Sequence, residues 1–217
     1  ENPKNIFLTG CPSIDLAKEY KNNKKKFFPK NFENLGLGNK IDLKKKYLVV
    51  MYHPVTNEYM SNKETINKLL SSIKKISLPT IWMWPNVDAG TDIISKEIRK
   101  FREKNKKLDI KFYKNFSPEE FLFIIDHCSC FVGNSSSAIR EGSFLGTPCV
   151  NIGTRQFQRE RGGNVFDVKN QQPSIEAGIL SQISKKKYRS KKTYGDGNAA
   201  KKMISVIKKL GKIKIEK

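Results

Sequence analysis

The segment CFVGNSSSAIREGSFLGTPCVNIG, residues 130–153, predicts a strand, a helix and a second strand in immediate succession. Cys130–Gly133 and Pro148–Gly153 are short apolar runs of the kind that form buried strands, and Ser135–Leu145 between them predicts a helix. Two parallel strands joined by a helix form the right-handed crossover unit of α/β proteins. This segment therefore predicts an α/β fold around a parallel sheet.

The same alternation precedes this segment along the chain. Further buried strands are predicted at Tyr47–Tyr52, Thr80–Trp84 and Asp109–Tyr113. The predicted helices are Lys63–Lys75, Thr91–Lys104, a helix that Ser117 caps in a capping box with Glu120, Pro173–Lys186 and Asn198–Leu210. About five β–α repeats of this kind predict a Rossmann-like sheet.

The first 46 residues do not fit the repeat. Asn5–Gly10 predicts a strand and Ser13–Lys21 a capped helix, and a polar, glycine-containing linker follows up to Lys40. The sequence begins Glu-Asn-Pro, with neither an initiator methionine nor a leader, so we expect a fragment whose first strand pairs with something outside the chain. We therefore divide the chain into residues 1–40, the end of a preceding domain with its linker, and residues 41–217, a Rossmann-like domain.

The formal net charge of +21 at neutral pH raises nucleic acids and anionic membranes as partners. The lysines, however, form short clusters scattered along the whole sequence, without the interleaved aromatic residues that stack on bases. This pattern is more typical of solvated helix faces, so a nucleic-acid-binding module is the weaker alternative. No apolar run approaches the roughly 20 residues that cross a bilayer, and we expect no membrane partner.

The four cysteines, Cys11, Cys128, Cys130 and Cys149, lack the paired spacing of a zinc site or a disulfide framework. His127 is adjacent to two of them, but consecutive residues at a strand entrance point to opposite sides and cannot easily share one ion. We therefore expect buried thiols, no metal and a reducing compartment, the cytoplasm.

Four of the seven arginines lie between Gly133 and Gly162, in a chain whose other cations are mostly lysines. Arginine offers a rigid fork of donors that matches phosphate and carboxylate oxygens. In parallel sheets, ligands bind at the carboxyl ends of the strands, where Gly133-Asn134-Ser135-Ser136-Ser137 leads into a helix. Serine and asparagine are also ordinary helix caps, but Arg155 ends the adjacent strand, so the pattern favours an anion site.

Two further polar side chains have two interpretations each. Glu141 falls four residues after Ser137, where it suits either the diol of a ribose or an ordinary ion pair with an arginine. His53 ends a strand and is followed by Pro54, where it suits either proton transfer or a structural hydrogen bond. The residues alone do not decide between the two interpretations of Glu141 or between those of His53.

Several longer motifs resemble the hydrolysing UDP-N-acetylglucosamine 2-epimerases, and they cover nearly the whole chain in the family's order. They are His53-Pro54-Val55-Thr56, Pro85-Asn86-Val87-Asp88-Ala89-Gly90, the Gly133–Ser137 run, Gly146-Thr147-Pro148, Asn151–Gln156 and Tyr194–Ala199. The resemblance implies the C-terminal half of a glycosyltransferase-B-type fold, which holds UDP.

The resemblance also implies roles for single residues. Ser135 and Ser136 would bind the diphosphate with Arg155 beside them, Glu141 would hold the ribose hydroxyls, and the backbone of Phe116 would contact uracil. The implied catalytic residues are His53 and Arg155. The implied binding residues are Asn86, Phe116, Gly133, Asn134, Ser135, Ser136, Ser137 and Glu141.

The family's reaction removes UDP across C1–C2 of the sugar and adds water to release the free 2-epimer, without a cofactor. The acidic residues of the family's reaction belong to an N-terminal domain, so the resemblance implies that this chain alone is inactive. The implied partners are a UDP-sugar and that N-terminal domain. Homo-oligomerisation of the full-length protein is left open. Ala138 and Gln158 stand where the family commonly has glycine, which points to a related diacetamido-sugar substrate. A glycosyltransferase of the same fold is the alternative.

Overall fold

A sheet of seven strands forms the centre of the computed structural model, which describes residues 2–29 and 32–210, apart from the side chains of Tyr59 and Met60. The strands are β1 (Leu37–Gly38), β2 (Leu48–Met51), β3 (Thr80–Met83), β4 (Ile110–Tyr113), β5 (Cys130–Gly133), β6 (Cys149–Ile152) and β7 (Val165–Val168). Their order is β1-β4-β3-β2-β5-β6-β7, and all neighbours are parallel except β1 and β4. The chain runs outward from β2 to β4 and then returns to β5, so the topological switch point lies between β2 and β5.

Helices cover both faces of the sheet. They are α1 (Pro12–Asn22), α2 (Asn62–Ile76), α3 (Thr91–Lys104), α4 (Pro118–His127), α5 (Ser136–Ile139), α6 (Glu141–Leu145), α7 (Gln172–Ile183) and α8 (Ala199–Leu210). Helices α2, α3 and α7 pack on one face, over a core that contains Trp82 and Val132. Helices α1, α4 and α6 pack on the other, over a core that contains Val49 and Phe131. Since both faces of the sheet are covered, β2 to β6 are almost entirely buried and mostly apolar, which is why their sequences predict strands.

The predicted α/β class and five of the six predicted strands are confirmed, and two strands were missed. β7 is an edge strand in which Phe166 and Asp167 are exposed, so it lacks the apolar run that identifies a buried strand. β1 contains only two residues and pairs antiparallel with β4. Short edge strands have no characteristic apolar pattern by which a sequence would reveal them.

The predicted strand Asn5–Gly10 is wrong. A 3₁₀ turn spans Pro3–Asn5, and residues 6–10 form no regular structure. A strand needs a neighbour for its backbone hydrogen bonds, and the described residues offer none to this segment. Ile6 and Leu8 are exposed in consequence.

The predicted helix Ser135–Leu145 is interrupted at Arg140, whose ψ of −73° separates α5 from α6. Asn164 Nδ2 donates to the carbonyl of Ala138 (3.2 Å), an acceptor that a continuous helix uses for the Gly142 N–H. The hydrogen bonds from Arg140 N to Ser136 O and from Phe144 N to Arg140 O still bridge the break. The two helices therefore form one kinked unit.

The first helix is anchored to the rest of the domain. Asp126, which is buried in α4, accepts hydrogen bonds from Tyr20 Oη (2.7 Å) and Lys24 Nζ (2.7 Å), and it also pairs with Lys187. These three donors hold the pKa of Asp126 below its usual value, although burial acts in the opposite direction. Asp15 of α1 in turn caps α8, because its carboxylate accepts from the N–H groups of Ala199 and Ala200, both at 2.8 Å. The division of the chain at residue 40 stays a prediction.

No helix within residues 2–29 and 32–210 has both the length and the apolar character to cross a bilayer.

Candidate functional site

The carboxyl ends of β2 and β5 are joined by a reciprocal pair of hydrogen bonds. His53 N donates to Asn134 Oδ1 (2.7 Å), and Asn134 Nδ2 donates to the carbonyl of His53 (2.8 Å). Asn134 is fully buried, so its amide is committed to the His53 backbone. The side chain of Asn134 thus positions the strand end that carries His53, on the line where the topology places ligands.

The imidazole of His53 has one defined tautomer. The backbone N–H of Asn86 donates to His53 Nδ1 (3.1 Å), so Nδ1 is an acceptor and the ring proton lies on Nε2. Burial, together with the positive charge of Arg155, lowers the pKa of His53 to about 4, while the Asp88 carboxylate acts in the opposite direction. At neutral pH His53 is therefore an uncharged donor through Nε2–H.

The lowered pKa of His53 makes the fold sensitive to acid. The imidazole of His53 becomes protonated below about pH 6.5 in the unfolded chain, but only near pH 4 in the folded chain. The contribution of His53 to stability is therefore complete above pH 6.5 and falls as the pH drops. Between pH 7 and pH 5 we expect the parent to lose about 2 kcal/mol of unfolding free energy that a His53→Asn variant does not lose. Urea denaturation at both pH values measures this difference. Equal losses in both proteins would contradict it, since His127 is common to both.

The serine run begins as a helix cap. Ser135 Oγ accepts a hydrogen bond from Ser137 N (3.3 Å), which is the ordinary N-cap arrangement. Ser135 is buried, whereas Ser136 and Ser137 are partly exposed. The hydroxyls of Ser136 and Ser137 therefore reach the surface at the start of the kinked helix.

Arg155 lies directly beside this turn. Its Nη1 donates to the carbonyl of Asn134 (3.4 Å), and its Nη2 pairs with Asp88 (3.4 Å). Gln156 Nε2 donates to the same carbonyl (2.8 Å). The guanidinium of Arg155 thus lies against the serine turn, and the anion site that the sequence pattern favours there stays a prediction.

A cavity of about 510 Å³ opens next to Arg155. Its lining includes Glu58, Asp88 and Thr154, and the hydroxyl of Thr154 donates to the Glu58 carboxylate. No role is predicted from the sequence for these three residues. Asp88 and Thr154 lie within motifs that were recognised, but Glu58 comes from a 3₁₀ segment without a sequence signature.

Glu141 forms an ion pair with an arginine, which is one of its two interpretations, and its contact with a ribose stays a prediction. The residue is 6% exposed, its Oε1 lies 3.6 Å from Arg140 Nη2, and its Oε2 has no partner among the described residues. A buried carboxylate oxygen without a donor is costly, so it favours a hydroxyl-bearing ligand.

Phe116 belongs to a stack of three aromatic rings. Its ring lies 4.5 Å from that of Tyr113 and 6.2 Å from that of Phe32. Tyr113 Oη also donates to the carbonyl of Phe32 (3.0 Å). The stack fixes the loop that follows β4.

Gln158 adopts a left-handed backbone conformation, with φ at +63°. A residue other than glycine is strained there, and the Gln158 side chain is exposed. We expect Gln158→Gly to raise the free energy of unfolding by about 1 kcal/mol. Urea denaturation tests this, with Gln171→Gly in an extended segment as a control that is expected to destabilise. Destabilisation by Gln158→Gly would contradict the strain.

Among residues 2–29 and 32–210, no group of three or more histidine, cysteine or acidic side chains is arranged to hold a metal. The candidate site combines donors, namely a guanidinium, an imidazole N–H and serine hydroxyls, with the carboxylates of Asp88 and Glu58 in the cavity beside Arg155.

The fold and this edge of the sheet define a Rossmann-like α/β domain with a polar crevice at its switch point. Residues 1–208 match the sequence model of a family described as UDP-N-acetylglucosamine 2-epimerase. The chain belongs to this family.

The chain is similar to several curated proteins. It is 28% identical over 208 residues to the UDP-N,N'-diacetylbacillosamine 2-epimerase (hydrolyzing) of Legionella pneumophila, which covers 96% of this chain and 52% of the relative. It is 35% identical over 146 residues to the polysialic acid biosynthesis protein P7 of Escherichia coli, which covers 66% of this chain and 37% of the relative. The chain thus spans about half the length, or less, of the curated relatives it matches.

Solved structures show the same fold. The UDP-GlcNAc 2-epimerase of Neisseria meningitidis bound to UDP-GlcNAc aligns with a TM-score of 0.66 at 15% identity, over 95% of this chain and 56% of that chain. The UDP-GlcNAc 2-epimerase of Methanocaldococcus jannaschii aligns with a TM-score of 0.63 at 19% identity, over 94% and 55%. These alignments agree with the expected half of a glycosyltransferase-B-type fold.

Proposed function

We propose that this chain is the UDP-binding part of a hydrolysing 2-epimerase that acts on UDP-N-acetylglucosamine or a related UDP-diacetamido sugar. The observation that carries the proposal is the meeting of Arg155 with the serine turn at the carbonyl of Asn134. Fixed donors at this point match the oxygens of a diphosphate. The family and the hydrolysing relative from Legionella support this substrate class.

In this proposal each side chain contacts one part of the nucleotide. Ser135, Ser136 and Arg155 hold the diphosphate, and the free Oε2 of Glu141 accepts from the ribose hydroxyls. The loop fixed by the aromatic stack presents the backbone of Phe116 to uracil. Asn86 fixes the His53 tautomer, so His53 offers an N–H to the leaving oxygen and does not act as a base.

The proposed reaction proceeds in two balanced steps without a cofactor. A base removes the proton from C2, the C1–O bond breaks, and UDP leaves with the electron pair, so that a C1=C2 glycal forms. Water then adds its hydroxyl to C1 and a proton to the opposite face of C2, which gives the free 2-epimer. Arg155 and the His53 N–H stabilise charge on the departing diphosphate, where preorganised donors have their largest effect.

We propose that the base comes from a further domain of the full-length protein. Exposed apolar side chains support such a partner, because Ile204, Ile207 and Leu210 of α8 are exposed, as are Ile6 and Leu8. Several exposed apolar residues are typical of a surface that another part of a protein covers. We propose a cytoplasmic location for the full-length enzyme, where UDP-sugars would be its substrates.

Isothermal titration calorimetry with UDP tests the proposal on the chain as it is. We expect saturable, weak binding, together with no release of UDP from UDP-N-acetylglucosamine by the chain alone. Absence of UDP binding at millimolar concentration would overturn the assignment. Elongation of an acceptor by the full-length protein, in place of release of a free sugar, would indicate a glycosyltransferase.

A further inference from the structure

A second cavity, of about 620 Å³, lies at the opposite edge of the sheet from β7. It is bounded by the segment that leads into β1, by the ends of β3 and β4, and by α3. β4 is three strand positions from β5, which corresponds to ~14 Å across the sheet. The cavity shares no lining residue with the cavity beside Arg155, although Trp84 and Asn115 stand close to Asn86 and Phe116 in the sequence.

The cavity is lined by three cations, Arg99, Arg102 and Lys114. In the described part of the chain, none of them has an ion-pair partner within 4.0 Å. Only three of the seven arginines lie outside the Gly133–Gly162 stretch, and two of those three line this cavity. Since lysine supplies most of the positive charge, arginine at these positions indicates a need for its planar fork of donors.

The remaining walls are aromatic and aliphatic. The guanidinium carbon of Arg99 lies 5.7 Å from the centre of the Trp84 ring, a cation–π arrangement that orders the arginine. Leu35 and Leu37 are 45% and 61% exposed at the mouth, and Phe112 forms a buried wall. A ligand that matches both features combines a negative charge with an apolar body.

We propose that this cavity binds a small organic anion, a phosphate or carboxylate attached to a planar or apolar group. Arg99 and Arg102 lie three residues apart on α3, so both guanidinium groups can reach one anionic head. Trp84 and the two leucines contact the apolar body. A volume near 600 Å³ is typical of small-molecule sites. The site does not depend on the proposed epimerase function.

Calorimetry with phenyl phosphate tests the site on the whole chain. We expect saturable binding in the millimolar range or tighter, weaker binding of inorganic phosphate, and an unchanged phenyl phosphate affinity when UDP is saturating. An R99Q/R102Q double variant is expected to weaken phenyl phosphate binding at least tenfold. The matched control K96Q/K104Q removes the same charge from exposed positions of α3 outside the cavity, and we expect a change of less than twofold.

Each contrary result overturns the proposal in a defined way. Absence of saturable binding excludes the site, and equal weakening by both double variants shows attraction to net charge only. Displacement by UDP would assign the probe to the nucleotide crevice, and equal binding of inorganic phosphate would exclude a role for the apolar walls. A fluorescence titration of Trp82→Phe, which leaves Trp84 as the only tryptophan, reports occupancy independently, and an unaltered Trp84 signal at saturation would contradict binding here.

Discussion

Replacement of Gly133 by alanine is expected to lower the free energy of unfolding by roughly 4 kcal/mol or more. Gly133 ends β5 with φ at +140°, a region that other residues rarely adopt. A Cβ atom there would overlap the backbone carbonyl of Met51 on the adjacent β2. Backbone cannot move aside as a flexible side chain can, so the two central strands would have to separate. Urea denaturation at neutral pH measures the loss.

The matched control for this change is Gly163→Ala. No atom lies within 4 Å of a Cβ built at Gly163, and its φ is outside the left-handed region. We expect the control to change stability by no more than about 0.5 kcal/mol. Similar effects of the two substitutions would show that close contact between β2 and β5 is not what requires glycine.

The Arg155→Ala variant is expected to bind UDP roughly 30- to 100-fold more weakly, which corresponds to about 2 to 3 kcal/mol. Arg155 is partly buried and already lies against the serine turn, so its charge-assisted hydrogen bonds to a diphosphate form with little reorganisation. Arg155→Lys keeps the charge but not the fork and is expected to give an intermediate loss. Calorimetry with UDP measures both.

Arg189→Ala provides the control for charge. Arg189 is exposed and remote in sequence from the serine turn, and its removal lowers the net charge by the same amount. We expect its UDP affinity to stay within twofold of the parent. If Arg189→Ala weakens binding as much as Arg155→Ala, the net charge of the chain and not the crevice attracts the nucleotide.

The parts of the fold that the sequence revealed are those in which local pattern and burial agree. β2 to β6 are buried on both faces and therefore appear as apolar runs, and the capping box at Ser117 gives the start of α4. The break at Arg140 depends on Asn164, a residue 26 positions from Ala138, so no local pattern could show it. The wrong strand at Asn5–Gly10 has an apolar run but no neighbour among the described residues.

The positions of the candidate site residues at the strand ends could be predicted from the sequence, but the contacts between their side chains could not. The rule for parallel sheets predicts that His53, Asn134 and Arg155 lie close together, and the structure shows these contacts, whereas their roles in binding and catalysis stay predictions. It could not show that Asn134 holds the His53 backbone or that Asp88 pairs with Arg155. Those contacts depend on side-chain orientation across the crevice, which strand order alone does not determine.

The capping of α8 by Asp15 joins elements more than 180 residues apart in sequence. Cys11 N also donates to the carbonyl of Tyr194 (2.8 Å), so the segments that precede the first and last described helices are attached as well. The start of α8 is therefore held in place by α1, and a substitution that disturbs one of these helices would loosen both ends of the described chain.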